Sequence, residues 1–175
     1  MFKTHLAFGL FAGLLSLKFL EAKNIIIFLS LASFFAVFPD IDEKSSKIGK
    51  RLKFLSFPIG IIFGHRGMFH TVYLPITIFL LFLMFDNPIY GIAAFIGYFS
   101  HLLTDSLTVH GIRPFYPLLN WKIKSFIKTN SILEFLLFLL IVAIDFYGIL
   151  TYIWEYIFPS ATGHTFSPKF LAYGA

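Results

Sequence analysis

Five runs of apolar residues, separated by short polar segments, account for most of this 175-residue chain. Hydrophobic residues make up 58% of the sequence and charged residues only 13%, which excludes an ordinary water-soluble domain. A helix needs about 20 apolar residues to cross a bilayer core of about 30 Å. The pattern predicts an all-α, polytopic membrane helix bundle with about five transmembrane helices. The predicted spans are 5–20, 24–39, 70–85, 88–104 and 132–154.

The chain length predicts one domain. We expect residues 1–158 to form a single transmembrane helical unit, with 159–175 as a loosely structured C-terminal tail rich in glycine and proline. A further apolar run, 54–64, is too short to cross and contains Pro58, so it is typical of an interfacial or re-entrant segment.

Lysine and arginine predict the orientation of the bundle. With the N-terminus in the cytoplasm and the C-terminus outside, eleven of the 14 basic residues fall on the cytoplasmic side. Only Lys18, Lys23 and Lys169 fall outside. The sequence therefore predicts a multi-pass protein of the cell (inner or plasma) membrane. The net charge of +5 is then explained by the orientation of the protein in the membrane and by attraction to lipid headgroups. We therefore expect no nucleic-acid partner.

Side chains that bind metals lie at the ends of these apolar runs. The chain has no cysteine, so a metal would need His, Asp, Glu or backbone oxygen. Ionisable groups beside hydrocarbon are rare and tend to be functional. The predicted topology places all the motifs at the cytoplasmic side, which favours one common site. The motifs are His5, Pro39-Asp40-Ile41-Asp42, His65-Arg66-Gly67-Met68-Phe69-His70 and His101-x-x-x-Asp105.

Each motif also has a simpler interpretation when it is taken alone. His101 and Asp105 lie one helical turn apart and could grip one ion, or they could form a hydrogen-bonded pair at a helix end. Asp40 and Asp42 follow a helix C-terminus, where carboxylates oppose the helix dipole and require a cation, unless they lie in a solvated turn. His5 alone is typical of an interfacial residue.

Gly67 predicts a turn between His65 and His70, with His70 at the start of the third span. One of the two histidines could then bind metal while Arg66 binds an anionic oxygen such as phosphate. The alternative is an interfacial cluster that contacts lipid phosphate.

Two acidic residues lie in the last span. Glu134 follows Ser131 at the spacing of a capping box, which we favour over a role in the site, and Asp145 lies mid-span, where a neutral or hydrogen-bonded state is expected.

The order and spacing of these motifs resemble the YdjM-type family of membrane-bound metal-dependent hydrolases across roughly residues 5–120. The resemblance includes residues beyond the motifs themselves: Gly49-Lys50-Arg51-Leu52-Lys53, Pro58, Gly64, Gly97-Tyr98-x-Ser100, Thr108-x-x-Gly111-Ile112 and Pro117. Met68 and Phe69 stand before His70 where the family often has small hydroxyl residues.

The family is distantly similar to zinc-dependent phospholipases C and related nucleases. The resemblance implies that Asp42 or Asp40, one of His65 and His70, His101 and Asp105 bind metal. It also implies that Asp105 bridges to a second ion bound by His5. One or two divalent ions are expected, with Zn²⁺ favoured over manganese or iron.

The sequence thus predicts a hydrolase that uses metal-activated water to cleave a phosphoester of a lipid or membrane-associated substrate. Arg66 and Arg113 would bind the negatively charged group of the substrate, and Asp40 would transfer the proton of the attacking water. Membrane lipids are the expected partners. The alternatives are a non-catalytic metal-binding membrane protein, such as an ion carrier or a metal-stabilised scaffold, and a lipid-binding module without metal.

Overall fold

The structure, a computed structural model, describes residues 1–44, 46–62 and 67–158. These residues form seven α-helices and two short 3-10 helices, and they contain no strand. The all-α prediction is confirmed. The helices are α1 (Phe2–Ser16), α2 (Ile25–Phe35), α3 (Lys47–Arg51), α4 (Lys53–Ile62), α5 (Tyr73–Met84), α6 (Pro88–Ser106) and α7 (Ile132–Ile157). The 3-10 helices are Phe38–Asp42, after α2, and Met68–His70, before α5.

Local side chains explain where several helices begin. Asn24 accepts a hydrogen bond from the Ile27 amide at 3.0 Å and so caps α2. Ser131 accepts from the Glu134 amide at 3.2 Å and caps α7. Pro88 opens α6, where its missing amide hydrogen costs nothing.

Helix α6 is the central element of the bundle. It packs against α1, α2 and α5, whereas α7 packs against α1. The buried side chains on the inner faces include Phe28 of α2 and Ala93, Tyr98 and Leu102 of α6. This arrangement leaves the outward faces of the helices covered with exposed leucine, isoleucine and phenylalanine, as expected for a bundle surrounded by lipid.

A glycine permits the closest helix contact. A Cβ atom at Gly97 of α6 would collide with the backbone carbonyl oxygen of Ala32 in α2. The small residues at this crossing bring the two backbones together, as in other closely packed membrane helices. The C-terminal end of α2 therefore lies directly beside the last two turns of α6.

Each predicted span contains an observed helix, but the bounds differ. Helix α2 ends at Phe35 because the chain then turns into the 3-10 helix that contains Pro39. By length and composition, one described helix could cross a membrane, over Ile132–Glu155, while Ile25–Phe35 and Tyr73–Met84 are shorter apolar helices. The five crossings and their orientation stay predictions. The tail 159–175 lies outside the described residues.

Residues 107–131 connect α6 to α7 and cover one end of the bundle. Isolated β-bridges join Thr108 to Ile127 and Ile112 to Ile123. The Val72 amide, just before α5, donates to the Pro114 carbonyl at 2.9 Å. The segment between the fourth and fifth predicted spans is therefore an ordered cap attached to the end of the bundle where α5 and α7 begin.

Candidate metal centre

Four segments bring histidine and aspartate side chains to this same end of the bundle. His5 lies in the first turns of α1, and Asp40 and Asp42 lie in the 3-10 helix after α2. His70 ends the 3-10 helix before α5, not the first turn of α5 as predicted, because the helix starts three residues later. His101 and Asp105 occupy the last turns of α6.

The carboxylate of Asp105 lies at the centre of the cluster. Its Oδ1 is 3.4 Å from His5 Nε2, and its Oδ2 is 3.4 Å from His70 Nε2 and 3.8 Å from His101 Nε2. The two Nε2 atoms of His70 and His101 are 3.2 Å apart. Asp105 and the three histidines are each at most 2% exposed.

Two groups of side chains have the spacing needed to hold a metal ion. One is His5, His101 and Asp105, and the other is Asp40, His70 and His101. Within each group the potential ligand atoms lie within 4.8 Å of one another. The two groups share His101. Asp105 Oδ1 faces His5, and Asp105 Oδ2 faces His70 and His101. The family resemblance implied this bridging position for Asp105 and this association with His5.

The Nδ1 atom of each imidazole faces a polar neighbour. The Thr104 hydroxyl donates to a backbone carbonyl of its own helix, so it accepts from His5 Nδ1 at 2.6 Å. His101 Nδ1 donates to the Ala36 carbonyl at 2.8 Å. His70 Nδ1 lies 3.2 Å from Asp42 Oδ2. Such outer contacts fix the tautomer and orientation of metal-binding histidines.

These tautomers determine what the centre can hold. With Nδ1 of His5 and His101 acting as donors, the Nε2 atoms of these two rings present lone pairs beside the Asp105 carboxylate, and His101 Nε2 also lies beside His70 Nε2. Such a buried set of lone pairs and negative charge is repulsive unless a cation or a proton lies among them. Imidazole nitrogen with carboxylate oxygen is a donor set suited to Zn²⁺ and related divalent ions. The residues therefore fit a metal ion.

Asp40 is half-buried, whereas Asp105 is almost fully buried. Asp40 borders a polar cavity of about 1030 Å³ that also reaches His5 and Asp105. Burial raises the pKa of the Asp40 carboxyl, and the Asp105 carboxylate acts in the same direction against the opposing effect of His5. The direction of this shift favours the protonated form of Asp40 relative to an exposed aspartate.

Basic residues surround this cavity. Lys3, Lys47, Arg113 and Lys122 line it, and Arg113 is exposed. Glu43 and Glu134 also contribute to the lining. The cavity thus places cations around the approach to His5, Asp40 and Asp105, where an anionic group could enter.

The structure brings together most, but not all, of the predicted site residues. His5, Asp40, His70, His101 and Asp105 belong to the two potential ligand groups. Asp42 belongs to neither group, and its position favours orienting His70. Arg113 borders the cavity. His65 and Arg66 lie outside the described residues.

Glu134 does more than cap α7. Its carboxylate accepts from the Asn130 amide at 2.6 Å and from the Thr4 hydroxyl at 2.8 Å. The bond to Thr4 joins the start of α7 to the start of α1, one residue before His5. Asp145 is buried on α7 and belongs to neither potential ligand group.

Sequence reasoning did not identify the residues that orient the site. Thr104 and the Ala36 carbonyl hold two histidines, and the Tyr98 hydroxyl donates to the Phe69 carbonyl at 2.6 Å beside His70. Thr104 lies one residue before Asp105, so it could have been noticed as a neighbour. A backbone carbonyl such as that of Ala36 leaves no signal in the sequence.

In the described residues, the helical bundle with its apolar outer surface and its buried histidine–aspartate cluster define a class: a helical protein suited to a membrane, whose cluster could hold a metal ion. The match to a family model is more specific. Residues 1–168 match the model described as YdjM inner membrane protein, so the chain belongs to the YdjM family.

Two relatives illustrate the relationship. The chain is 30% identical over 139 residues to the uncharacterized protein YvsG of Bacillus subtilis, covering 75% of this chain and 83% of YvsG. It is 36% identical over 90 residues to the inner membrane protein YdjM of Escherichia coli, covering 45% of this chain and 43% of that protein. No solved structure was found to match the chain significantly. These matches support location in a membrane.

Proposed function

We propose that this protein is a membrane-embedded, metal-dependent hydrolase that cleaves a phosphoester of a lipid or membrane-associated substrate. The observation that carries the proposal is the convergence of three imidazoles on the Asp105 carboxylate beside a cavity lined with cations. Buried ionisable groups are costly in a protein and are retained where they perform a function.

The ligands would come from the two groups described above. His5, His101 and Asp105 would hold one ion, and Asp40, His70 and His101 would form the second group. A bound divalent ion of the Zn²⁺ type supplies a Lewis acid that lowers the pKa of water and polarises a phosphoryl oxygen. Thr104, Asp42 and the Ala36 carbonyl keep the three imidazoles in the ligand orientation.

Asp40 is the residue proposed to accept the proton of the attacking water. It borders both the cavity and the ligand cluster, and burial raises its pKa, which makes its carboxylate a stronger base than an exposed aspartate. The variant Asp40→Asn distinguishes a metal ligand from a general base. If Asp40 is a ligand, the variant loses bound metal; if Asp40 is the base, the variant keeps its metal and loses turnover.

The cations around the cavity would hold the phosphate group of the substrate. Arg113 offers a planar guanidinium that can bind two phosphate oxygens at once, and Lys47 and Lys122 add positive charge. Arg66 is also proposed to bind this phosphate, on the basis of its position in the His65–His70 motif. These side chains would offset the negative charge that develops during attack at phosphorus.

The position of the site at one end of the bundle supports a headgroup as the substrate. We propose five crossings with the N-terminus inside, which places the cavity at the cytoplasmic edge of the membrane. In this arrangement the phosphate of a lipid would reach the cavity while its chains stay in the bilayer.

The experiment is a hydrolysis screen on purified protein with phospholipid and polyprenyl phosphate substrates. We expect turnover with the wild type and a loss of at least about a hundredfold in His101→Ala and Asp105→Ala, since removal of a metal ligand abolishes activation of water. Glu21→Gln, at an exposed position beyond the opposite end of α1, is the control and should keep full activity. Equal turnover in the wild type and both site variants would reject the proposal.

A metal-stabilised scaffold is the second candidate. The observation that favours it is the near-complete burial of His5, His70, His101 and Asp105, which is typical of a closed structural site. A scaffold predicts that chelation lowers the melting temperature while no substrate in the screen is turned over. A hydrolase predicts turnover that chelation abolishes and that added Zn²⁺ restores.

A further inference from the structure

A second cavity lies between α3 and α4, on residues that the proposed metal centre does not use. Its volume is about 570 Å³. The described residues that line it are Lys44, Gly49, Lys53, Phe54, Ser56 and Phe57. They include two cations, two aromatic rings, a hydroxyl group and no carboxylate. This combination is suited to an amphiphilic anion.

Ser56 is the most informative residue in this cavity. It is only 1% exposed, and its hydroxyl has no hydrogen-bond partner within the described part of the chain. A buried hydroxyl without a partner is unusual, because removal from water must be compensated by another hydrogen bond. A ligand with an acceptor atom in the cavity would supply that bond.

The two lysines supply the positive charge. Lys44 and Lys53 are both exposed, and Lys44 Nζ lies 4.4 Å from the centre of the Phe57 ring. The ring contact holds the ammonium group of Lys44 next to the cavity. Lys44, Lys53 and Ser56 line the same cavity, so all three are available to one bound anion.

The surroundings of the cavity distinguish a lipid from a soluble phosphate compound. Phe54, Phe57 and Ile61 recur on one face of α4, with the side chains of Phe54 and Ile61 exposed by 74% and 62%. Helix α4 has ten residues, too few to cross a bilayer, and basic Lys50 and Arg51 at the end of α3 lie one residue before its start. An apolar face beside clustered basic residues is typical of a helix that lies in the membrane interface.

We propose that the α3–α4 cavity binds the phosphate headgroup of an anionic membrane phospholipid. Lys44 and Lys53 contact the phosphate oxygens, the Ser56 hydroxyl donates to one of them, and Phe54 and Phe57 pack against the glycerol and upper acyl chain. Since α4 packs against the 3-10 helix that carries Asp40 and Asp42, a lipid bound here also fixes the position of that segment. The site does not require the metal centre to be catalytic.

The test is a lipid titration of the full chain, purified in a neutral detergent and followed by native mass spectrometry and by melting temperature. The probes are dioleoyl phosphatidylglycerol, dioleoyl phosphatidylcholine and inorganic phosphate. We expect phosphatidylglycerol to bind at least about tenfold more tightly than phosphatidylcholine and to raise the melting temperature. Inorganic phosphate at the same concentrations should leave the melting temperature unchanged.

Two variants and one matched control locate the binding. Lys44→Ala/Lys53→Ala should weaken phosphatidylglycerol binding at least about tenfold, and Ser56→Ala should weaken it about threefold or more. Lys18→Ala/Lys23→Ala removes the same charge from exposed positions between α1 and α2, at the other end of the bundle, and should bind as the wild type does.

The readout separates this site from the metal centre and from a folding defect. Ser56→Ala removes a hydroxyl that has no partner, so its melting temperature without added lipid should equal or exceed that of the wild type. Bound metal should be unchanged in both variants. The proposal is overturned if phosphatidylcholine or inorganic phosphate matches phosphatidylglycerol, or if Ser56→Ala and the double variant retain wild-type affinity.

Discussion

Replacement of Thr104 by valine is the most informative single test of how the candidate metal centre is built. Thr104 accepts a 2.6 Å hydrogen bond from His5 Nδ1 and donates to a carbonyl of its own helix. Valine keeps the approximate shape but removes the hydroxyl, so the His5 ring loses the contact that fixes its tautomer and rotation. No proposed ligand is changed.

The expected loss follows from the role of such outer contacts. Replacing a group that orients a metal-binding histidine costs about 10–100-fold in metal affinity, or about 1.4–2.7 kcal/mol. The larger value is expected here because both Thr104 and His5 are almost fully buried, so water cannot replace the hydroxyl. Thr104→Ser keeps the hydroxyl and should restore most of the affinity.

The assay is competition for Zn²⁺ between the purified protein and a chromophoric chelator. Thr77→Val is the matched control, because the Thr77 hydroxyl also donates to a backbone carbonyl four residues earlier, at 2.9 Å, but contacts no histidine. We expect Thr77→Val to bind as the wild type does. Wild-type affinity in a folded Thr104→Val protein would refute the assignment of His5 as an oriented ligand.

Three further predictions concern packing, pH and the link between helices. Gly97→Ala should lower stability by about 1–3 kcal/mol in thermal unfolding, because its Cβ would collide with the Ala32 carbonyl, while Gly148→Ala, whose Cβ meets only Leu14 at 3.8 Å, should be neutral or stabilising. Zn²⁺ affinity should fall by about tenfold or more between pH 7.5 and 5.5, because protons compete for the imidazoles; calorimetry showing constant affinity would contradict histidine ligation. Glu134→Ala should weaken Zn²⁺ binding less than Thr104→Val does, because it loosens α1 through Thr4 rather than at His5.

The helices were predictable because apolar runs of this length have few alternatives. Each of the five runs contains a helix, since burial of backbone polar groups away from water requires internal hydrogen bonding. The end of α2 was less predictable. The run continues to residue 39, but the chain leaves the α-helix at Phe35 and forms a 3-10 helix, a local choice that hydropathy does not record.

The candidate site was predictable in its residue types but not in its internal arrangement. The spacing of His101 and Asp105 places both on one helical face, as observed. Asp40 and Asp42 could not be distinguished by sequence, because their positions depend on the 3-10 geometry. That geometry places Asp40 at the cavity and in the potential ligand group with His70 and His101, and Asp42 beside His70 Nδ1. The partner of His5 is 99 residues away in sequence, and its identification required the packing of α1 on α6.

The packing of small residues connects the fold to the site. The close approach of α2 to α6 at Gly97 places the Ala36 carbonyl 2.8 Å from His101 Nδ1. That contact turns Nε2 of His101 toward His70 and Asp105. A substitution that separates the two helices should therefore disturb the cluster even though it changes no ligand.

Metal content tests the central claim most directly. Protein purified after growth with added zinc should be analysed by inductively coupled plasma mass spectrometry, alongside Asp105→Ala and the control Glu21→Gln. We predict at least one divalent ion per chain in the wild type and in Glu21→Gln, and a clear loss in a folded Asp105→Ala protein, because Asp105 contacts all three histidines. Less than about half an ion per chain in the wild type, or equal content in all three proteins, would contradict a metal centre built on Asp105.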